Sequence, residues 1–112
     1  MLNQVVIVGR LTKDVEVHKS DSGKQISTIT LAIPRGFKNV DGNYDTDFIS
    51  CILWDQVATN TSTFCHKGDI LGVRGRLQSR IVEENEGKKT IVDIIAEKVT
   101  FLSSKKETEK EG

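Results

Sequence analysis

The sequence predicts an all-β fold: a small five-stranded barrel with one short helix between its third and fourth strands. Three observations carry this expectation. Apolar and polar residues alternate with a period of two along five stretches rich in β-branched side chains. Clusters that favour turns, such as Ser20-Asp21-Ser22-Gly23 and Asp41-Gly42, separate them. One segment alone, after Trp54, carries helical spacing.

The first strand spans residues 2–11, with Val5, Ile7, Gly9 and Leu11 on one parity and Val6, Val8 and Arg10 on the other. The chain continues through Val15 and Val17 to the turn at residues 20–23, where short polar side chains bond locally and Gly23 permits positive φ. The second strand, 26–33, alternates Ile29, Leu31 and Ile33 against Thr28, Thr30 and Ala32. Pro34 cannot donate to a ladder, so the strand is expected to end there or lie at an edge, with Arg35-Gly36-Phe37 opening a mobile connection.

The third strand, 47–54, places Ile49, Cys51 and Leu53 on one face and Phe48, Ser50, Ile52 and Trp54 on the other. Asp55 is the expected N-cap of a helix whose Val57, Ala58, Thr61, Phe64 and Cys65 follow helical spacing, and Gly68 stops it. The fourth strand, 70–82, carries Leu71, Val73, Leu77 and Ile81 on one face and Arg74, Arg76, Gln78 and Arg80 on the other. Residues 83–89 form a charged hairpin tip around Gly87, and the blurred alternation of 90–102 implies a bulge in the last strand. Three strands, a helix and two strands match the OB-fold, with an open α+β sandwich as the structural alternative. The domain covers 1–103, and 104–112 read as a disordered charged tail.

Composition narrows the function. The formal net charge is zero, which excludes a strongly basic protein that coats nucleic acid by bulk attraction. Charge is nevertheless unevenly placed: residues 1–82 hold ten Lys and Arg against eight Asp and Glu, and residues 83–112 hold six against eight. Between Lys67 and Val82, Lys67, Arg74, Arg76 and Arg80 face a single acid, Asp69. Cys51 and Cys65 read as buried free thiols, since two cysteines neither build a disulfide framework nor supply a zinc site. No metal, cofactor or catalytic residue is expected: no nucleophile is matched to a base and an orienting acid, and no phosphate-binding glycine motif occurs. No apolar run approaches the roughly 20 residues that span a bilayer, so no membrane partner is expected and the expected location is cytoplasmic.

Unpaired strands are held by cations along the phosphates and by aromatic faces on which bases stack. Phe48 and Trp54 share a face, six residues or about 20 Å apart at roughly 3.3 Å per residue, which suits two separate platforms. Arg74, Arg76 and Arg80 lie opposite an apolar row and cannot all be buried without heavy desolvation cost, so they face water or phosphate. Each feature alone is more often ordinary sheet packing or a solvated face. Their agreement on one barrel points to single-strand binding. Arg10, at the end of the first strand, and Arg35, beside Phe37, complete the candidate cations.

The opening Met1-Leu2-Asn3-Gln4-Val5-Val6-Ile7-Val8-Gly9-Arg10-Leu11-Thr12-Lys13-Asp14 resembles the start of bacterial single-stranded DNA-binding proteins. Ile29-Thr30-Leu31-Ala32, Thr46-Asp47-Phe48-Ile49-Ser50-Cys51, Leu53-Trp54, Lys67-Gly68 and Gly75-Arg76-Leu77-Gln78-Ser79-Arg80 resemble further landmarks of that family in order. The resemblance implies a non-catalytic OB-fold, usually a homotetramer, that binds single-stranded DNA with little sequence preference in replication, recombination and repair. It implies stacking roles for Phe37, Phe48 and Trp54 and cationic roles for Lys67 and Arg80. Val82 stands where many members carry Trp or Tyr, which removes one expected platform. His18 replaces a residue that is often Arg, and Pro34 one that is usually polar. Members typically continue to an acidic tip that recruits other enzymes, whereas this sequence closes on Glu107-Thr108-Glu109-Lys110-Glu111-Gly112, so such recruitment is not expected. The alternative reading is a module similar to primosomal replication protein N, a dimer that acts mainly through protein partners.

Overall fold

The computed structural model describes residues 1–104. Strand β1 is Val5–Leu11, β2 His18–Lys19, β3 Gln25–Lys38 and β4 Tyr44–Trp54; helix α1 is Asp55–Phe64, and β5 Ile70–Glu84 and β6 Gly87–Ser103 complete the chain. The expected tail falls outside the described residues apart from Ser104.

The five long strands close on themselves. β1 pairs antiparallel with β5, β5 with β6 and β4 with β3, while β6 meets β4 in a short parallel contact at Cys51↔Ile94 and Ile52↔Ile95. The circuit closes where β3 returns to β1 at Arg10↔Ala32 and Leu11↔Leu31. This is the OB-fold, with α1 between β4 and β5. The barrel interior holds Leu11, Ile29, Leu31, Cys51, Leu53, Leu71 and Val73, all at most 3% exposed. Each large aliphatic side chain so buried contributes about 1.5–3 kcal/mol of transfer free energy. The parity predicted for 47–54 holds, since Cys51 and Leu53 are fully buried and Phe48 is 65% exposed.

Four local expectations are corrected. Of the two outcomes expected at Pro34, the edge position holds and the strand end does not: β3 runs on to Lys38, pairing Pro34↔Thr46 and Lys38↔Tyr44 with a register shift between them. Past Ala32, β3 forms no further pairs with β1, so Pro34 sits at an edge where a missing N–H is tolerated. Asp55 is not the N-cap. Trp54 holds that position in extended backbone, and Asp55, with φ of 49°, makes the abrupt turn into α1 while its Oδ1 accepts from the Gln25 N–H at 3.3 Å. Phe64 is not core; it is 68% exposed, and Ala58, Thr61 and Cys65 fill the inward positions. Cys65 reaches inward because the chain turns extended directly after the helix.

The fourth correction concerns the long strand. Leu71 and Val73 are buried as predicted, but Leu77 is 45% and Ile81 69% exposed. Beyond Gly75, β5 and β6 leave the barrel as a two-stranded arm that pairs as far as Glu84↔Gly87, so the same parity finds no core to enter. The predicted bulge in the last strand is present. Arg74 pairs with Lys98 but Gly75 with Ala96, leaving Glu97 unmatched. Gly75 is required there, since a Cβ would collide with the carbonyl oxygen of Ile95.

Candidate nucleic-acid interface

The outer face of β4 carries the candidate platform. Alternation from Trp54 back through Ile52, Ser50, Phe48 and Thr46 reaches Tyr44, so three aromatics occupy one parity of one strand. Phe48 is 65% and Tyr44 57% exposed, while Trp54 is half-buried. Tyr44 was not among the sequence-predicted site residues, because it falls between the expected mobile connection and a third strand expected to begin at residue 47. Lys38, its cross-strand partner, places Nζ 5.9 Å from the Tyr44 ring centroid, within cation–π range.

A groove of about 520 Å³ runs beside Phe48, lined by Ser50 and Ile52 of β4 and by Leu77, Arg80, Val92 and Asp93 of the β5–β6 arm. Arg80 and Phe48 therefore share one cleft. The Arg80 side chain is about half exposed, and its Nε donates to Asp93 Oδ2 at 2.7 Å. On the other flank, the register places Arg10 of β1, Ala32 of β3 and Phe48 of β4 in one cross-strand row. Two strand spacings separate Arg10 from Phe48, about 10 Å. Arg10 Nη1 donates to the Gly68 carbonyl at 2.6 Å, bracing the turn that carries Lys67.

Trp54 lies at a separate small pocket with Ser22, Lys24 and Asp55. Lys24 is a second residue that sequence reasoning missed: it belongs to the β2–β3 turn, and only the register Ile26↔Trp54 brings it beside the indole. Phe37, 68% exposed, sits in the irregular stretch between Pro34 and Lys38. Lys67 is exposed at the far turn, where its backbone N–H donates to Asp14 Oδ1 at 2.8 Å.

The members of the predicted arginine row have different surroundings. Arg74 is exposed and pairs with Val6 of β1, outside the groove that holds Arg80. Arg76 donates to Gln78 Oε1 at 2.6 Å and lies 3.8 Å from Glu97. Arg35 is held within the β3–β4 arm: Nη2 and Nε donate to Asp47 at 2.9 and 3.2 Å, and Nη1 lies 3.6 Å from Asp45. That hydrogen bond holds the Asp47 carboxyl below the ordinary carboxylate range and raises the Arg35 guanidinium.

Other chemistry is sparse. Cys51 and Cys65 are buried free thiols, and desolvation pushes Cys51 up to about 11. Among the described residues, no group of three or more His, Cys, Asp or Glu side chains is placed to hold a metal ion. None of the described helices is long and apolar enough to cross a membrane.

Comparison with known proteins agrees with this geometry. Residues 2–102 match the model of the single-strand binding protein family. Over 106 residues, the chain is 48% identical to single-stranded DNA-binding protein 3 of Listeria innocua, covering 94% of this chain and 66% of that protein. It is 42% identical to single-stranded DNA-binding protein B of Bacillus subtilis, covering 94% of both. Single-stranded DNA-binding protein 1 of Staphylococcus aureus is 44% identical, with 94% of this chain and 64% of that protein aligned. The chain thus spans about two thirds of the Listeria and Staphylococcus proteins and nearly all of the Bacillus one. It belongs to the single-strand binding protein family.

Proposed function

We propose that this protein binds single-stranded DNA without sequence preference and without catalysis, in the cytoplasm, protecting exposed strands during replication, recombination and repair. The observation that carries the reading is the row of Tyr44, Phe48 and Trp54 along the outer face of β4, with Arg80 beside Phe48 in the same groove. Bases stack on the rings and phosphates meet the cations at the groove margin. Phe37 and Lys67 extend this path at its ends, and Arg10, Arg35, Arg74 and Arg76 supply charge around it.

The functional unit is a homotetramer in this reading. Val6 and Val8 leave the outer face of β1 largely apolar and exposed, and Leu102 of β6, 50% exposed, flanks the same glycine of β5, Gly72, as Val8 does. Such a contiguous apolar surface favours burial against another copy. Light scattering should give the mass of four 12.5 kDa chains, and a 12.5 kDa particle would overturn the assembly.

The binding itself is tested by anisotropy with labelled oligo-dT and a duplex of equal length. Tight binding to the single strand alone, weakening as salt rises, is expected. Equal affinity for the duplex would overturn the reading.

A further inference from the structure

We propose that Asp93 is a positioning residue for strand binding: it holds the Arg80 guanidinium over the groove beside Phe48 so that both Nη groups face the bound strand. The inference rests on the single-strand reading above.

The geometry is asymmetric. Asp93 Oδ2 takes the Nε hydrogen of Arg80 at 2.7 Å, and none of the hydrogen bonds or ion pairs among the described residues engages the Nη groups of Arg80. The Asp93 side chain is only 16% exposed while that of Arg80 is 53% exposed. The carboxylate is therefore the more buried partner of the pair, at the wall of the groove that the guanidinium overlooks. A guanidinium fixed at Nε presents a planar fork whose remaining donors match two phosphate oxygens or a base edge. An unanchored arginine would lose rotamer freedom on binding, and the cross-strand bond removes part of that cost beforehand.

The pair is built into the register. Asp93 of β6 stands opposite Gln78 of β5, so Arg80 reaches it on the diagonal, two residues along its own strand. The other arm repeats the offset. Asp47 of β4 stands opposite Ile33 of β3, and Arg35, two residues along, is the residue that bonds it. There, however, Nε and Nη2 both bond Asp47 and Nη1 lies near Asp45, so that guanidinium is occupied on every nitrogen. Of these two pairs, the Arg80 pair leaves the fork open toward a groove.

Charge alone predicts the opposite of positioning. Removing a carboxylate from the edge of a phosphate path should tighten binding, whereas removing an anchor should weaken it. Oligo-dT affinity is measured for the unaltered protein, Asp93→Ala, Asp93→Asn, Arg80→Ala and the Arg80→Ala/Asp93→Ala double variant, with thermal melting of each. Asp93→Ala is expected to weaken binding about fivefold, the size of one net hydrogen bond, despite the gain in net positive charge. Asp93→Asn, whose Oδ1 can still accept from Nε, restores most of the affinity. Adding Asp93→Ala to Arg80→Ala weakens binding no further.

Binding by Asp93→Ala as tight as the unaltered protein or tighter, or an equal loss when Arg80 is already absent, overturns the proposal. Should Asp93→Ala not fold, Asp93→Glu keeps the charge and displaces the acceptor by one methylene; weaker binding then supports positioning, and unchanged or tighter binding overturns it. Failure of the unaltered protein to bind oligo-dT would instead remove the single-strand reading itself, an outcome distinct from any difference among variants.

Discussion

Phe48 and Arg80 line one groove although their strands, β4 and β5, are not hydrogen-bonded neighbours; β6 lies between them. The barrel's closure brings the ring and the guanidinium together, so an aromatic surface and a cation can act on the same nucleotide. Truncating the ring tests that contact. Phe48→Ala should cost about 1–3 kcal/mol of single-strand affinity with little loss of stability, because the ring is already 65% exposed. Anisotropy titration alongside thermal melting separates the two effects.

Tyr44 makes a sharper case, since it lies on the same parity beyond the barrel. Tyr44→Ala is expected to weaken binding to longer oligonucleotides while leaving very short ones unaffected. A short strand seated at Phe48 need not reach the arm, so the dependence on length is the quantity to measure.

Gly75 governs how the β5–β6 arm leaves the barrel. Its missing Cβ lets the Ile95 carbonyl approach, and that carbonyl is backbone that cannot rotate aside. Gly75→Ala should therefore destabilise the fold by about 1–3 kcal/mol, read as a lower denaturation midpoint. The arm's position would shift as well, drawing Arg80 away from Phe48.

Alkaline pH should weaken the fold through Cys51. Burial raises its thiol from 9.0 to about 11, so the folded protein keeps a proton that the unfolded chain releases. The unfolded state thus binds fewer protons above pH 9, and stability falls as pH rises toward about 11. Denaturant midpoints across that window should decline, and Cys51→Ala should flatten the decline while carrying its own packing cost.

Much of this was legible in the sequence because alternation maps directly onto the faces of a strand. Phe48 and Trp54 opposite Cys51 and Leu53 needed only parity, and the turn residues at 20–23 and around Gly87 marked the hairpins. Parity failed where a strand outran its barrel. Leu77 and Ile81 continue the pattern of Leu71 and Val73, yet no facing sheet covers them. Nor could parity find Asp93 or Lys24, whose partners are set by register between strands distant in sequence. The arginine row was legible as a run of charge, but its partners were not: Arg76 meets Gln78 and Glu97, and Arg80 meets Asp93 across the β5–β6 register.

The central claim is that a single strand lies along the outer face of β4. Trp54 is the sole tryptophan and lies on that face, so its fluorescence reports occupancy directly. Titration with oligo-dT at low salt should quench the emission saturably, and added salt should reverse it. Unchanged emission, with no retardation of the oligonucleotide in a gel under the same conditions, would contradict the account.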